Sequence, residues 1–172
     1  MTPASNPLWQ RYELSVREML KALDPDASVV HDEHVTGRLS GARRQVDVLA
    51  TGKVVGLEIK VAAECKRHQR PASIEVVDQF IGKILDIGAD RGVLYSYSGF
   101  SSSAVSRAIG SSNPSVMVVA LGTPEIVKEA GQAPGYPADL VLQEQAPQWV
   151  EELDEDAFRR FLADGEWSKF WS

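Results

Sequence analysis

Asp47 and the triplet Glu64-Cys65-Lys66 have the residue types and spacing to act on a phosphodiester. Asp47 falls near the start of one predicted strand, and the triplet falls at the end of the next. In an antiparallel pair, the start of one strand lies beside the end of its neighbour, so both reach the same edge of the sheet. Side chains along a strand repeat every two residues, which puts Glu64 and Lys66 on one face. Two carboxylates brought this close repel, and without a partner one would keep its proton near neutral pH. A divalent cation relieves that conflict, and hard oxygen ligands suit Mg²⁺, with Mn²⁺ as a substitute. Such an ion polarises a phosphoryl group and acidifies water. Lys66 adds a compact cation that can orient the water and offset transition-state charge. The same carboxylate–lysine spacing also arises on solvated strand faces. Glu58-Ile59-Lys60, beside a turn, is an instance six residues earlier.

The elements that must position these residues follow from periodicity. Asn6-Pro7 is a helix start, and Leu8, Trp9, Tyr12, Val16, Met19, Leu20 and Leu23 recur at helical spacing until Pro25. Glu13 borders that apolar arc, whereas Glu18 lies opposite it. Ala27–His34, Arg43–Ala50 and Leu57–Cys65 read as strands, with turns at 37–41 and at Thr51-Gly52-Lys53. Ile74, Val77, Phe80, Ile81, Ile84 and Leu85 form a second amphipathic helix closed by Gly88. A strand at Gly92–Tyr97, a helix at Ser102–Ile109, a strand at Ser115–Leu121 and a short helix at 124–130 follow. Three consecutive strands imply an antiparallel meander, and the helical crossovers add parallel strands. The predicted fold is a mixed α/β sheet with helices on both faces. Residues 1–130 read as one domain. Residues 131–172 read as a Gly/Pro-containing linker and an acidic, aromatic-rich terminal helix that packs on the core or on a partner.

The chain from Arg43-Arg44-Gln45-Val46-Asp47-Val48 through Ala63-Glu64-Cys65-Lys66-Arg67 resembles the catalytic domain of Mrr-type restriction endonucleases, in the PD-(D/E)xK nuclease superfamily. The resemblance continues through Arg70-Pro71, the 74–87 helix, Gly92-Val93-Leu94-Tyr95-Ser96-Tyr97-Ser98-Gly99-Phe100, Ala104 and Ala108. It covers roughly residues 8–122. It implies a restriction-endonuclease-like α-β-β-β-α-β core and a metal-dependent DNA endonuclease. Asp47 and Glu64 would be ligands and Lys66 the catalytic lysine. Glu13 matches a glutamate that the family carries on its first helix near the metal. The Cys65 backbone carbonyl is a further candidate ligand. Mrr-type restriction proteins usually carry a separate DNA-recognition domain, and none fits in this sequence, so modified-base recognition does not carry over. The expectation is a stand-alone nuclease, a homodimer, or a catalytic unit recruited by another subunit.

Arg43, Arg44, Arg67 and Arg70 cluster in sequence around the proposed site and are candidate phosphate contacts. Arg67, His68 and Arg70 equally suit a solvated loop. His31-Asp32-Glu33-His34 is not a metal motif, because on a strand His31 and His34 point to opposite faces; an ordinary strand end is expected there. Gln79 and Lys83 fall on the outer face of the second helix, where solvent and DNA are equal alternatives. Cys65 shares parity with Ile59 and Val61 and is expected to be buried.

Composition bounds these readings. The 172 residues carry 18 Lys/Arg and 24 Asp/Glu, a formal net charge of −6. Apolar residues make up 44% and charged residues 24%, which excludes wholesale disorder. A single cysteine excludes an intrachain disulfide. No secretory signal is visible, and Ser115–Leu121 is too short to span a bilayer, so a cytoplasmic protein without a membrane role is expected. The acidity is uneven. Residues 1–128 hold 15 basic and 14 acidic side chains, and residues 129–172 hold 3 and 10. The near-neutral core can meet phosphates locally. A catalytically silent interaction module that keeps the fold is the competing function.

Overall fold

The apolar and β-branched runs between Ser28 and Gly122 pair into one mixed sheet in a computed structural model that describes residues 8–68, 70–122 and 141–142. Helix α1 (Leu8–Leu23) precedes strands β1 (Ser28–Thr36), β2 (Arg43–Val54) and β3 (Leu57–Lys66). Then come α2 (Ile74–Ile87), β4 (Arg91–Ser96), α3 (Ser102–Ile109), β5 (Ser115–Gly122) and β6 (Val141–Leu142). Spatial order follows chain order. β1, β2 and β3 are antiparallel neighbours, and β3, β4 and β5 are parallel. This is the predicted meander followed by crossovers, which parallel pairing requires.

Beyond shifts of one or two residues at strand ends, two stretches differ from the sequence reading. Thr51, Gly52 and Lys53 stay in the ladder opposite Lys60, Ile59 and Glu58. The turn falls instead at Val55 and Gly56, both with positive φ, as a two-residue hairpin turn needs. Within the stretch read as a linker, Val141–Leu142 pairs antiparallel with the end of β5. The predicted cap at Asn6, the 124–130 helix and the acidic terminal segment lie outside the described residues.

The helices cover opposite faces. Val48 pairs with Ala63 and His31, and α1 lies over this face, packing on β1, β2 and β3 with Val16 and Leu20 buried. Trp9, assigned to the same arc, is 53% exposed. On the other face Ala62 is level with Gly92, and α2 lies so close that a Cβ on Gly92 would sit 1.8 Å from Ile84 Cδ1. Val77, Phe80, Ile84 and Ile87 form the buried stripe of α2. Gly88 ends the helix in the left-handed conformation that glycine adopts without penalty, donating its N–H to the Ile84 and Leu85 carbonyls. Ser101 caps α3 by accepting the Ala104 N–H.

The last turn of α2 is fastened to the β1–β2 turn through Asp86, which is 4% exposed. Its carboxylate accepts bonds from the Leu39 and Ser40 N–H groups, the Ser40 hydroxyl and Arg44 Nε. Those donors, the Ser40 hydroxyl foremost and then Arg44, hold the Asp86 carboxyl well below the usual carboxylate range.

Candidate active site

The ladder fixes the site. The ladder between β2 and β3 ends at the Val48–Ala63 pair, and Asp47 and Glu64 are the next residues on each strand. Asp47 Oδ2 accepts the Cys65 N–H at 2.8 Å, tying the carboxylate to the end of β3. Burial pushes the Asp47 carboxyl above its ordinary value, and the charge of Glu64 adds to the rise, while the Cys65 N–H opposes it.

Glu64 is buried and has a lysine on each oxygen. Lys66 Nζ stands 2.5 Å from Oε1, and Lys83 Nζ, on α2, 2.5 Å from Oε2. Burial alone would push this carboxyl up. The two ammonium groups outweigh it and bring Glu64 below its ordinary value. Lys83 is thus drawn inward to Glu64 instead of lying on an outer face. Its place between Phe80 and Ile84 on the border of the stripe was the available signal.

Glu13 reaches the same region from α1. It is 8% exposed and meets His31 Nε2 at 2.8 Å, whereas Glu18 points to solvent and pairs with Arg17. Burial raises the Glu13 carboxyl, the His31 bond counters this, and the nearby charge of Asp47 raises it further. His31 is therefore more than a strand-end residue, and only the packing of α1 on β1 shows it. Cys65 is buried as expected. Burial pushes its thiol well above the ordinary value, with Asp47, Glu13 and Glu64 adding to the shift.

These positions answer the donor test for a hard cation. Among the described residues no group of three or more His, Cys, Asp or Glu side chains is arranged to hold a metal. The strand ends instead supply the two carboxylates of Asp47 and Glu64, both oxygen donors. Among the described side chains none forms an ion pair with Asp47, the carboxylate whose charge a cation would stabilise. Oxygen donors of this kind suit a hard divalent cation that keeps waters of its own.

The chain matches the Mrr_cat restriction endonuclease family model over residues 8–129. It belongs to the restriction endonuclease family. Two solved structures are similar to this restriction endonuclease family member. The protein of unknown function AF1548 is 17% identical, with a TM-score of 0.51 over 66% of this chain and 58% of that one. The DNA modification-dependent restriction endonuclease AspBHI is 19% identical, with a TM-score of 0.45 over 66% of this chain and 28% of its own. The chain thus spans somewhat over half of AF1548 and under a third of AspBHI. No curated protein matches the chain. Among the described residues no helix is long and apolar enough to cross a membrane.

The four arginines read as phosphate contacts have different surroundings in this family member. Arg44 is bound through its Nε at 2.7 Å to buried Asp86, a charge that could not stay unpaired, and its side chain is 40% exposed. Arg67 lies over the Tyr97 ring, 4.5 Å from its centroid. Arg70 and His68 border a hollow of about 330 Å³ with Pro71, Ala72, Ser73 and Val76. Arg43 is exposed at the start of β2.

Proposed function

We propose that this chain is a divalent-metal-dependent endonuclease that hydrolyses DNA phosphodiester bonds. The observation that carries the reading is the convergence of Asp47, Glu64 and Lys66 at one end of the β2–β3 pair in a restriction endonuclease domain. Asp47 and Glu64, with the Cys65 carbonyl, would hold Mg²⁺ or Mn²⁺. When bound, the cation supplies Lewis acidity to the phosphoryl group and acidifies water. Lys66 does the rest of the charge work. Its ammonium, held by Glu64 and partly open to solvent, can donate to a phosphoryl oxygen and orient the incoming water. Glu13, bonded to His31, would add a further carboxylate that feels the charge of Asp47. Arg43, Arg44, Arg67 and Arg70 would meet backbone phosphates, which position the duplex without reading its sequence.

The test is cleavage of plasmid and oligonucleotide DNA with Mg²⁺. Activity should vanish in EDTA and fall by about 100-fold or more in both D47N and K66A. Full activity in EDTA and in K66A would refute the reading. Folded protein that cleaves no DNA offered but binds a partner would favour the silent module.

A further inference from the structure

We propose that Lys83 is a built-in competitor for the divalent cation, occupying Glu64 in the metal-free site and thereby setting the affinity with which the cation binds. The inference rests on the metal-dependent reading above.

Glu64 needs one countercharge and has two. Each oxygen faces its own ammonium at 2.5 Å, while Asp47, on the neighbouring strand, has no described side chain in ion-pair contact. Both ammonium groups thus bind Glu64 directly and reach Asp47 only through their charge, without an ion pair. Lys66 reaches Glu64 from two positions along the same strand, so its place is set by the strand itself. Lys83 comes from α2, on a separate element, and its side chain is only 22% exposed. It is not a surface lysine in a chance pose. One turn further on, Asp86 fastens α2 to the β1–β2 turn through four bonds, which holds the Lys83 backbone at this distance from β3.

A cation held by Asp47 and Glu64 would need a Glu64 oxygen, each of which already faces an ammonium, and it would meet the charge of Lys83 at close range. Both effects weaken metal binding. A lysine suits this role because it is a compact single charge on a flexible stem, able to swing aside where a bidentate arginine would hold both oxygens. Glu64 is then never left as a bare buried charge, either before or after the cation arrives.

The test uses Mn²⁺ alone, titrated into the full chain and read from the free-ion paramagnetic resonance signal, with thermal melts with and without Mn²⁺. K83Q and K83M should each bind Mn²⁺ about tenfold more tightly than wild type and show a larger Mn²⁺-induced rise in melting temperature. K83R, which keeps the charge, should stay within about threefold of wild type, and D47N should lose binding. K83M keeps the apolar stem of the side chain, so a folding failure of K83Q alone does not decide the outcome. Unchanged or weaker Mn²⁺ binding in the folded Lys83 variants, with D47N still defective, overturns the competitor role and leaves the nuclease reading intact. No Mn²⁺ binding by wild type or by any variant overturns both.

Discussion

His31 Nε2 lies 2.8 Å from Glu13 Oε2, joining edge strand β1 to helix α1 beside the carboxylates of the site. The bond stabilises the ionised form of a carboxyl that burial, first, and then Asp47 push upward. H31A should therefore raise the pKa of Glu13 further. If cleavage needs Glu13 ionised, the acid limb of the pH–rate profile moves to higher pH, and H31Q, which can still donate, moves it less. The lost bond should also cost about 1–2 kcal/mol in denaturant melts. An acid limb identical in wild type and H31A would show that Glu13 is not titrating in catalysis.

Asp86 makes stability depend on acid. Its folded-state pKa is depressed, so the stability it contributes is fully present above its unfolded value, near 3.9 by the model-peptide scale, and is lost as pH falls below that value. D86N should melt several degrees below wild type at pH 7. The gap should narrow between about pH 4 and pH 2, because only wild type has this carboxylate to protonate. Parallel melting curves across that range would count against the latch.

Gly92 lets α2 sit close to the sheet. A Cβ there would meet Ile84 Cδ1 at 1.8 Å and Phe80 Cε1 at 3.0 Å. G92A should cost about 1–3 kcal/mol by overpacking. Shortening the partner in G92A/I84V should recover part of that loss, whereas I84V alone should destabilise. Additive losses in the double variant would place the strain elsewhere.

The Cys65 thiol is buried and its pKa is pushed well above normal, so little thiolate is present at neutral pH. The folded protein should react with a thiol reagent far more slowly than the protein in guanidinium. Fast native-state labelling would mean that the end of β3 opens readily.

Much of the site was legible before the structure. The parity of Glu64 and Lys66, and the placing of Asp47 beside them, follow from the two-residue repeat and from antiparallel pairing. The Cys65 N–H bond to Asp47 and the Lys66–Glu64 ion pair agree with that placing. Glu13 was separated from Glu18 by helical phase alone, and it is the buried member of the two. Legibility failed where a residue's partner is distant in sequence. The bond of Arg44 to buried Asp86, 42 residues away, has no local signal. Lys83 has the look of a solvated lysine, but Glu64, 19 residues away, draws it in.

By itself, then, the sequence determined the order of elements, the mixed sheet and the meeting of Asp47 with the end of β3. These depend on side-chain period and on pairing between neighbouring strands, which are local properties of the chain. Tertiary structure decided which charges meet. Packing α1 on the first face joined His31 to Glu13, and packing α2 on the second brought Lys83 to Glu64 and Asp86 to Arg44. A buried charge must find a partner, and which partner it finds depends on how closely the helices approach the sheet.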